Sequence, residues 1–158
     1  MNLYLIRHGD AESVSSSKSD HERGLTQKGQ EQIKKAADAW KKNIHGFDLI
    51  ASSPYKRAHQ TAEIIAHVFN YHDKVITDKK LASGCKPEDL LDFIKSRDEK
   101  NIAVVGHEPD LSKGVSALVS SSGMYCEFKK GTIAKINFDG KVRLGKGLLE
   151  FLIPQDIL

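Results

Sequence analysis

Cysteine is scarce: Cys85 and Cys126 are the only two in 158 residues. That is too few for a disulfide framework, and their spacing is not that of a metal site, so both are expected as reduced thiols. Long apolar runs are missing as well. The opening run, Leu3 to Ile6, is stopped by Arg7, which leaves no secretory signal and no membrane span to read; a cytoplasmic location is the default, with no membrane partner. There is no internal repeat, and the serine cluster between Ser13 and Ser19 is the one biased tract. Excess charge is small, 24 Lys and Arg against 21 Asp and Glu. That balance gives a weak pointer to an anionic substrate, which solubility alone also explains, and no reason to expect nucleic acid. With 39% apolar and 28% charged residues, the chain suits a single globular domain over residues 1–158, large enough to bury a core without staples.

What is present is a repeated arrangement. Leu3 to Gly9 reads L-Y-L-I-R-H-G, a short β-prone run ending in Arg7 and His8, with Gly9 letting the chain turn. Such a run predicts a buried strand that delivers two chemically capable side chains to its C-terminal edge, where ligands sit in open α/β sheets. Phe47 to Ala51 predicts a second strand, followed by Ser52-Ser53-Pro54, with Ser53 as cap and Pro54 as first helical residue. The helix carries Ala58, Ala62, Ile65 and Phe69 on one face and Arg57 in its first turn. A cation there faces the positive end of the helix dipole, which is unfavourable unless an anion lies beside it; on an isolated helix a solvated arginine is the simpler reading. Asn101 to Val105 predicts a further strand running into Gly106-His107-Glu108-Pro109, then a helix with Leu111, Val115, Leu118 and Val119 on one face.

Between these segments, the polar stretch Asp10 to Gly24 reads as a loop on the rim of the site. Thr26 is the expected N-cap of a helix with Ile33, Ala36, Ala37, Trp40 and Ile44 at helical spacing, and Gly29 in its first turn calls for a tight approach to a neighbour. Lys74 to Thr77 predicts a short strand and Pro87 to Ile94 a short helix. Thr132 to Phe138 and Leu148 to Ile153 predict two strands that extend the sheet, with antiparallel pairing possible. The alternation makes the expected fold class α/β, a three-layer α/β/α domain with a mainly parallel central sheet.

If the strand ends lie side by side, Arg7, Arg57, His8 and His107 converge with little nearby acid, and such a pocket suits a phosphoryl group. Arginine forks match phosphate oxygens, and a neutral imidazole can attack phosphorus. Arg7 beside His8 favours that neutral form. A metal is not expected, because the arginines would repel a cation from His8, His107 and Glu108; nor is any other cofactor. Arg23 either touches substrate or makes a surface salt bridge. Glu108 either donates a proton or stabilises the start of the helix at Pro109. Asp10 and Glu12 either gate the pocket or, the commoner case, are solvated loop acids; His21 is read as exposed, and His45, His59, His67 and His72 as surface or packing residues.

R-H-G at Arg7 to Gly9, L-T-x-x-G at Leu25 to Gly29, S-S-P-x-x-R-A-x-Q-T-A at Ser52 to Ala62 and V-G-H-E-P at Val105 to Pro109 together resemble the histidine phosphatase superfamily, with its phosphoglycerate mutase-like fold. The resemblance runs to about Val119. It implies that His8 is transiently phosphorylated, that Arg7 and Arg57 bind phosphate, and that His107 stabilises the oxyanion. The short chain, E-R-G-L-T and L-A-S-G-C-K-P-E-D-L-L-D-F-I are most similar to the SixA-like phosphohistidine phosphatases, which implies a phosphohistidine-bearing phosphotransfer protein as partner. Mutases of the superfamily take a glutamate acid from the middle region, where this chain has Ala82-Ser83-Gly84; that departure argues against mutase activity. The alternatives are a phosphomonoesterase acting on a small metabolite and a non-catalytic phosphoprotein-binding module.

Overall fold

Continuous apolar runs give each central strand two buried faces, and the computed structural model, which describes residues 1–158, covers both with helices. The elements in order are β1 (Asn2–Arg7), α1 (Gln27–Trp40), β2 (Leu49–Ser52), α2 (Lys56–Val68), β3 (Ile76–Thr77), α3 (Pro87–Lys95), β4 (Asn101–Gly106), α4 (Asp110–Val119), β5 (Ile133–Asn137) and β6 (Leu148–Ile153). Tyr4 and Ile6 of β1, Ala103 and Val105 of β4 and Ile50 of β2 pack with α1 and α2. The alternate residues Leu3, Leu5, Ile102, Val104, Leu49 and Ala51 pack with α3 and α4. Two such cores back to back make the three-layer α/β/α domain, and both supply hydrophobic burial as the main driving force.

The sheet runs β3-β2-β4-β1-β5-β6. The first four strands are parallel, while β5 pairs antiparallel with β1 and β6 with β5. The register sets the site: Arg7 pairs with Gly106 and Ser52 with Val105, so three strands end level at one edge. His8 N–H donates to the Gly106 carbonyl at 3.2 Å and Ser53 N–H to the Val105 carbonyl at 2.9 Å. These bonds carry the ladder one step past each strand.

Several local expectations shift. The helix read through Ile44 ends at Trp40, and Ile44 is buried from the turn that follows. Helix α2 starts at Lys56, not Pro54, because Tyr55 is still extended as its N-cap. Ser53 is therefore no cap for it, and its hydroxyl accepts instead from Tyr55 N–H at 3.2 Å. The second strand lies two residues later at its start and includes Ser52. The third is only Ile76–Thr77. Thr26 does cap α1, accepting from Gly29 N–H at 2.9 Å. Gly29 is required: a β-carbon there would run into the Asp10 carbonyl, an overlap of the kind that costs about 1–3 kcal/mol or more.

Candidate active site

At the level strand edge, His8, Arg57 and His107 are nearly excluded from water, with 8%, 4% and 3% of their surfaces exposed. Each comes from a different segment: His8 follows β1, Arg57 is the second residue of α2, and His107 follows β4. The two imidazole rings lie 5.2 Å apart, centroid to centroid, tilted by 60°. Thr61 fixes the seam between β1 and α2, accepting from Gly9 N–H at 3.2 Å and donating to the Arg57 carbonyl at 2.8 Å.

Hydrogen-bond partners determine the ring tautomers. His8 Nδ1 sits 2.8 Å from the Gly9 carbonyl, which can only accept, so Nδ1 carries the proton and the Nε2 lone pair is left for other use. Arg57 Nε donates to that Nε2 at 3.2 Å. His107 Nδ1 faces Arg57 Nη2 at 3.4 Å, and a guanidinium only donates, so Nδ1 is the unprotonated nitrogen. His107 Nε2 then donates to Ser53 Oγ at 2.8 Å.

Burial is the main reason both rings resist protonation, with the His8 pKa pushed down to about 4 and that of His107 to about 3. For His8, the Gly9 carbonyl acts in the opposite direction, and Arg57 lowers it more than Arg7 does. Arg7, the sequence neighbour expected to keep His8 neutral, is thus a lesser cause than burial and Arg57. Because unfolded histidines titrate near 6.5, the unfolded chain binds more protons than the folded one between there and about pH 4. Stability is therefore full above about pH 6.5 and falls as the pH drops toward about 4. Imidazole ¹⁵N spectra are expected to show His8 as the Nδ1–H tautomer at pH 7 and the pair titrating together below pH 5. A His8 transition near 6.5 would contradict the closed pocket.

Arg7 donates from Nη1 to the Phe128 carbonyl at 2.6 Å. Its Nε is buried with no acceptor in the protein, so an oxyanion beside it would satisfy a donor whose isolation costs about 1–3 kcal/mol. Burial lowers the Arg7 pKa and Glu108 opposes the shift. Arg7 also opens onto a cleft of about 360 Å³ with an entirely polar lining that includes Asp10, Lys28, Lys129 and Lys130.

Acid lies closer to the site than the strand-end residues alone suggest. Asp20, from the rim, reaches the mouth of the pocket and accepts from Arg57 Nη2 at 3.1 Å, while its main-chain carbonyl accepts from Arg57 Nη1 at 2.7 Å. This is the anion beside the first-turn cation of α2. Arg23 grips the same carboxylate, its Nε donating to Asp20 Oδ1 at 2.8 Å, and its Nη1 donates to the Glu12 carbonyl at 2.7 Å. Arg23 thus makes the salt bridge that one of its two readings names. Glu108 Oε1 accepts from Ser112 N–H at 2.9 Å, which is the helix-start reading. Asp10 pairs with Lys130 at 2.6 Å and Glu12 with Lys18 at 2.9 Å, so neither is merely solvated. His21 is exposed but sets its ring 4.2 Å from that of Tyr55, which in turn lies 4.9 Å from the His107 ring. His45, His67 and His72 are on the surface and His59 pairs with Glu63. No three His, Cys, Asp or Glu side chains are gathered to ligate a metal. Ser53, Thr61 and Asp20 are participants to which the sequence reading assigned no role in the site; Ser53 and Thr61 lie in the quoted Ser52 to Ala62 segment, and Asp20 left only the Asp-x-x-Arg step.

Residues 3–83, half of the chain, match the model of the histidine phosphatase superfamily, branch 1. The chain belongs to that superfamily. Among histidine phosphatases it is similar to a phosphohistidine phosphatase SixA homologue of Haemophilus influenzae, 29% identical over 153 residues that cover 89% of this chain and 90% of that one. The structure of the protein histidine phosphatase SixA complexed with tungstate superposes with a TM-score of 0.87 at 21% identity, over 99% of both chains. A phosphoserine phosphatase of Entamoeba histolytica, a histidine-to-alanine mutant in complex with phosphoserine, superposes at 0.72 with 21% identity, over 99% of this chain and 98% of that one. The structural matches establish the histidine phosphatase fold across the whole chain, including the region after Ser83 that the superfamily model leaves out.

Proposed function

We propose that the protein removes phosphate from a phosphohistidine on another protein, such as a phosphotransfer domain, through an intermediate in which His8 Nε2 carries the phosphoryl group. The observation that carries this reading is the His8 ring itself. It is held as the neutral Nδ1–H tautomer, with its Nε2 lone pair accepting from Arg57 Nε in the space it shares with Arg57 and His107, where attack on phosphorus would replace that hydrogen bond.

In the first step the Nε2 lone pair attacks phosphorus and the bond from phosphorus to the substrate nitrogen breaks, its electron pair staying with the substrate ring. Arg7 and Arg57 hold the phosphoryl oxygens. The incoming negative charge raises the proton affinity of His107 Nδ1, which takes up a proton from solvent or from a monoanionic phosphoryl group as the substrate binds, and the protonated ring then donates to a phosphoryl oxygen. The transition state of phosphoryl transfer is loose, so positioning and charge stabilisation supply most of the acceleration. In the second step water attacks phosphorus, the P–Nε2 bond breaks with its pair returning to His8, and the water protons end on orthophosphate.

The acids at the site favour a leaving group that needs no proton from the enzyme. Burial opposes ionisation of Asp20, but hydrogen bonds from Arg23 and Arg57 outweigh it and hold its pKa below the ordinary value, so it stays ionised. Glu108 has one oxygen engaged by Ser112. A phosphohistidine whose second ring nitrogen is protonated leaves as neutral imidazole, whereas an alkyl ester releases a strongly basic alkoxide that calls for a general acid. The SixA likeness supports the same substrate. Glu108 directly after His107 is the one feature that favours a small phosphomonoester instead.

The test compares a phosphohistidine-bearing phosphotransfer protein with an aryl phosphate, in wild type and Glu108→Gln. The expected outcome is a higher kcat/KM for phosphohistidine and little effect of the substitution on it. Preference for the ester, with loss of ester hydrolysis in Glu108→Gln, would establish the phosphomonoesterase. Binding to the phosphoprotein without turnover of either would establish a binding module.

A further inference from the structure

We infer that Asp20 is a positioning residue for Arg57, and that Arg23 acts through it; the inference rests on the reading of Arg57 as a phosphate ligand. A guanidinium has two edges that can each engage two acceptors. The inner edge of Arg57, Nε and Nη2, faces His8 Nε2 at 3.2 Å and His107 Nδ1 at 3.4 Å. The outer edge, Nη1 and Nη2, is held by the main-chain carbonyl and the carboxylate of Asp20 at 2.7 and 3.1 Å. Asp20 thus lies behind the arginine and keeps its inner edge turned to the two histidines, where the phosphoryl oxygens would meet it. An arginine side chain has several rotatable bonds, so a second anchor decides which edge points inward.

The anchor is built into the rim. Asp20 opens a single turn of 3₁₀ helix, Asp20–Glu22, and that turn delivers Arg23 onto its free carboxylate oxygen, with Nε donating to Oδ1 at 2.8 Å. Arg23 is tied in turn to the Glu12 carbonyl, and the Glu12 carboxylate accepts from Gly24 N–H at 3.0 Å. Tyr55 completes the clamp, with the Arg57 carbon Cζ 5.0 Å from its ring centroid. A polar chain therefore runs from the exposed rim through Asp20, whose side chain is 46% exposed, to a guanidinium that is 5% exposed. The two arginines share one carboxylate, and each takes a different oxygen. An amide at this position can serve one of them well but not both.

The experiment measures kcat and KM of Asp20→Ala, Asp20→Asn, Arg23→Ala and the double variant Asp20→Ala/Arg23→Ala. The second readout is the ¹⁵N–¹H signal of Arg57 Nε in the phosphate-saturated protein. The expected result for Asp20→Ala is a loss of about 10²-fold, mainly in kcat, the size that misplacing a positioned group brings, with the Arg57 Nε signal broadened. Asp20→Asn recovers part of the loss. Arg23→Ala loses less than Asp20→Ala, and the double variant is no worse than Asp20→Ala alone, because Arg23 acts only through the carboxylate. An unchanged Nε signal in Asp20→Ala, whatever its kcat, or additive losses in the double variant would each overturn the inference. The Nε signal is read without turnover. Wild-type kcat in Asp20→Ala while the signal broadens would therefore count against Arg57 as a phosphate ligand and not against Asp20 as its anchor.

Discussion

Replacing His8 by alanine is expected to lower kcat by about 10⁴-fold or more, the scale on which removing a covalent nucleophile acts. The residual pocket keeps Arg7, Arg57 and His107, so inhibition by inorganic phosphate is expected to persist while turnover disappears. The fold is expected to survive, because His8 is buried as a neutral ring and its loss removes a group that weakens the protein in acid. The unfolding free energy of His8→Ala should accordingly fall less steeply than wild type between pH 6.5 and about 4. Steady-state kinetics with phosphate inhibition, together with urea unfolding at several pH values, checks all three. Turnover within about tenfold of wild type would rule out His8 as the nucleophile.

The second large effect is that of Arg57→Ala, expected to cost about 10³-fold in kcat/KM and to abolish inhibition by inorganic phosphate at concentrations that inhibit wild type. Four contacts converge on this guanidinium, to both histidines and to both acceptors of Asp20, and the alanine variant releases all of them. Arg57→Lys is expected to stay within about tenfold of the alanine variant, because an ammonium is a point charge that cannot bridge the histidines on one edge and Asp20 on the other. Near-normal rates in Arg57→Lys would mean that charge alone suffices and would remove the geometric argument. Asp20→Ala introduced into Arg57→Ala is expected to add nothing.

The layers of the fold and the four strand-end side chains were legible because they follow from two simple patterns. Apolar runs marked β1, β2 and β4, and each led into a polar segment that the register then aligned at one edge. Arg7, His8 and His107 could be picked out for that reason, each following an apolar run where it meets the edge, and Arg57 as a cation in the first turn of the helix that follows β2. Gly29 was legible too, as a residue unsuited to a helix unless something passes close by. What stayed hidden depended on side-chain direction across long sequence separations. Asp20 is 37 residues from Arg57, and its loop is a polar stretch with no periodicity to orient it. Ser53 read as a helix cap because serine before proline has that local meaning, yet its hydroxyl is used 54 residues away by His107. The leading cause of the low His8 pKa was hidden as well, since burial is a property of the packed domain and not of a neighbour in the chain.

The most direct measurement mixes the enzyme with a ³²P-phosphohistidine phosphotransfer protein, quenches it in alkali within milliseconds and maps the label by mass spectrometry. The expected result is a transient phosphoenzyme with the label on His8 alone, attached at Nε2, lost on mild acid treatment and absent from His8→Ala. Orthophosphate released at full rate with no label on the enzyme at any time, or label on a residue other than His8, would contradict a phospho-His8 mechanism.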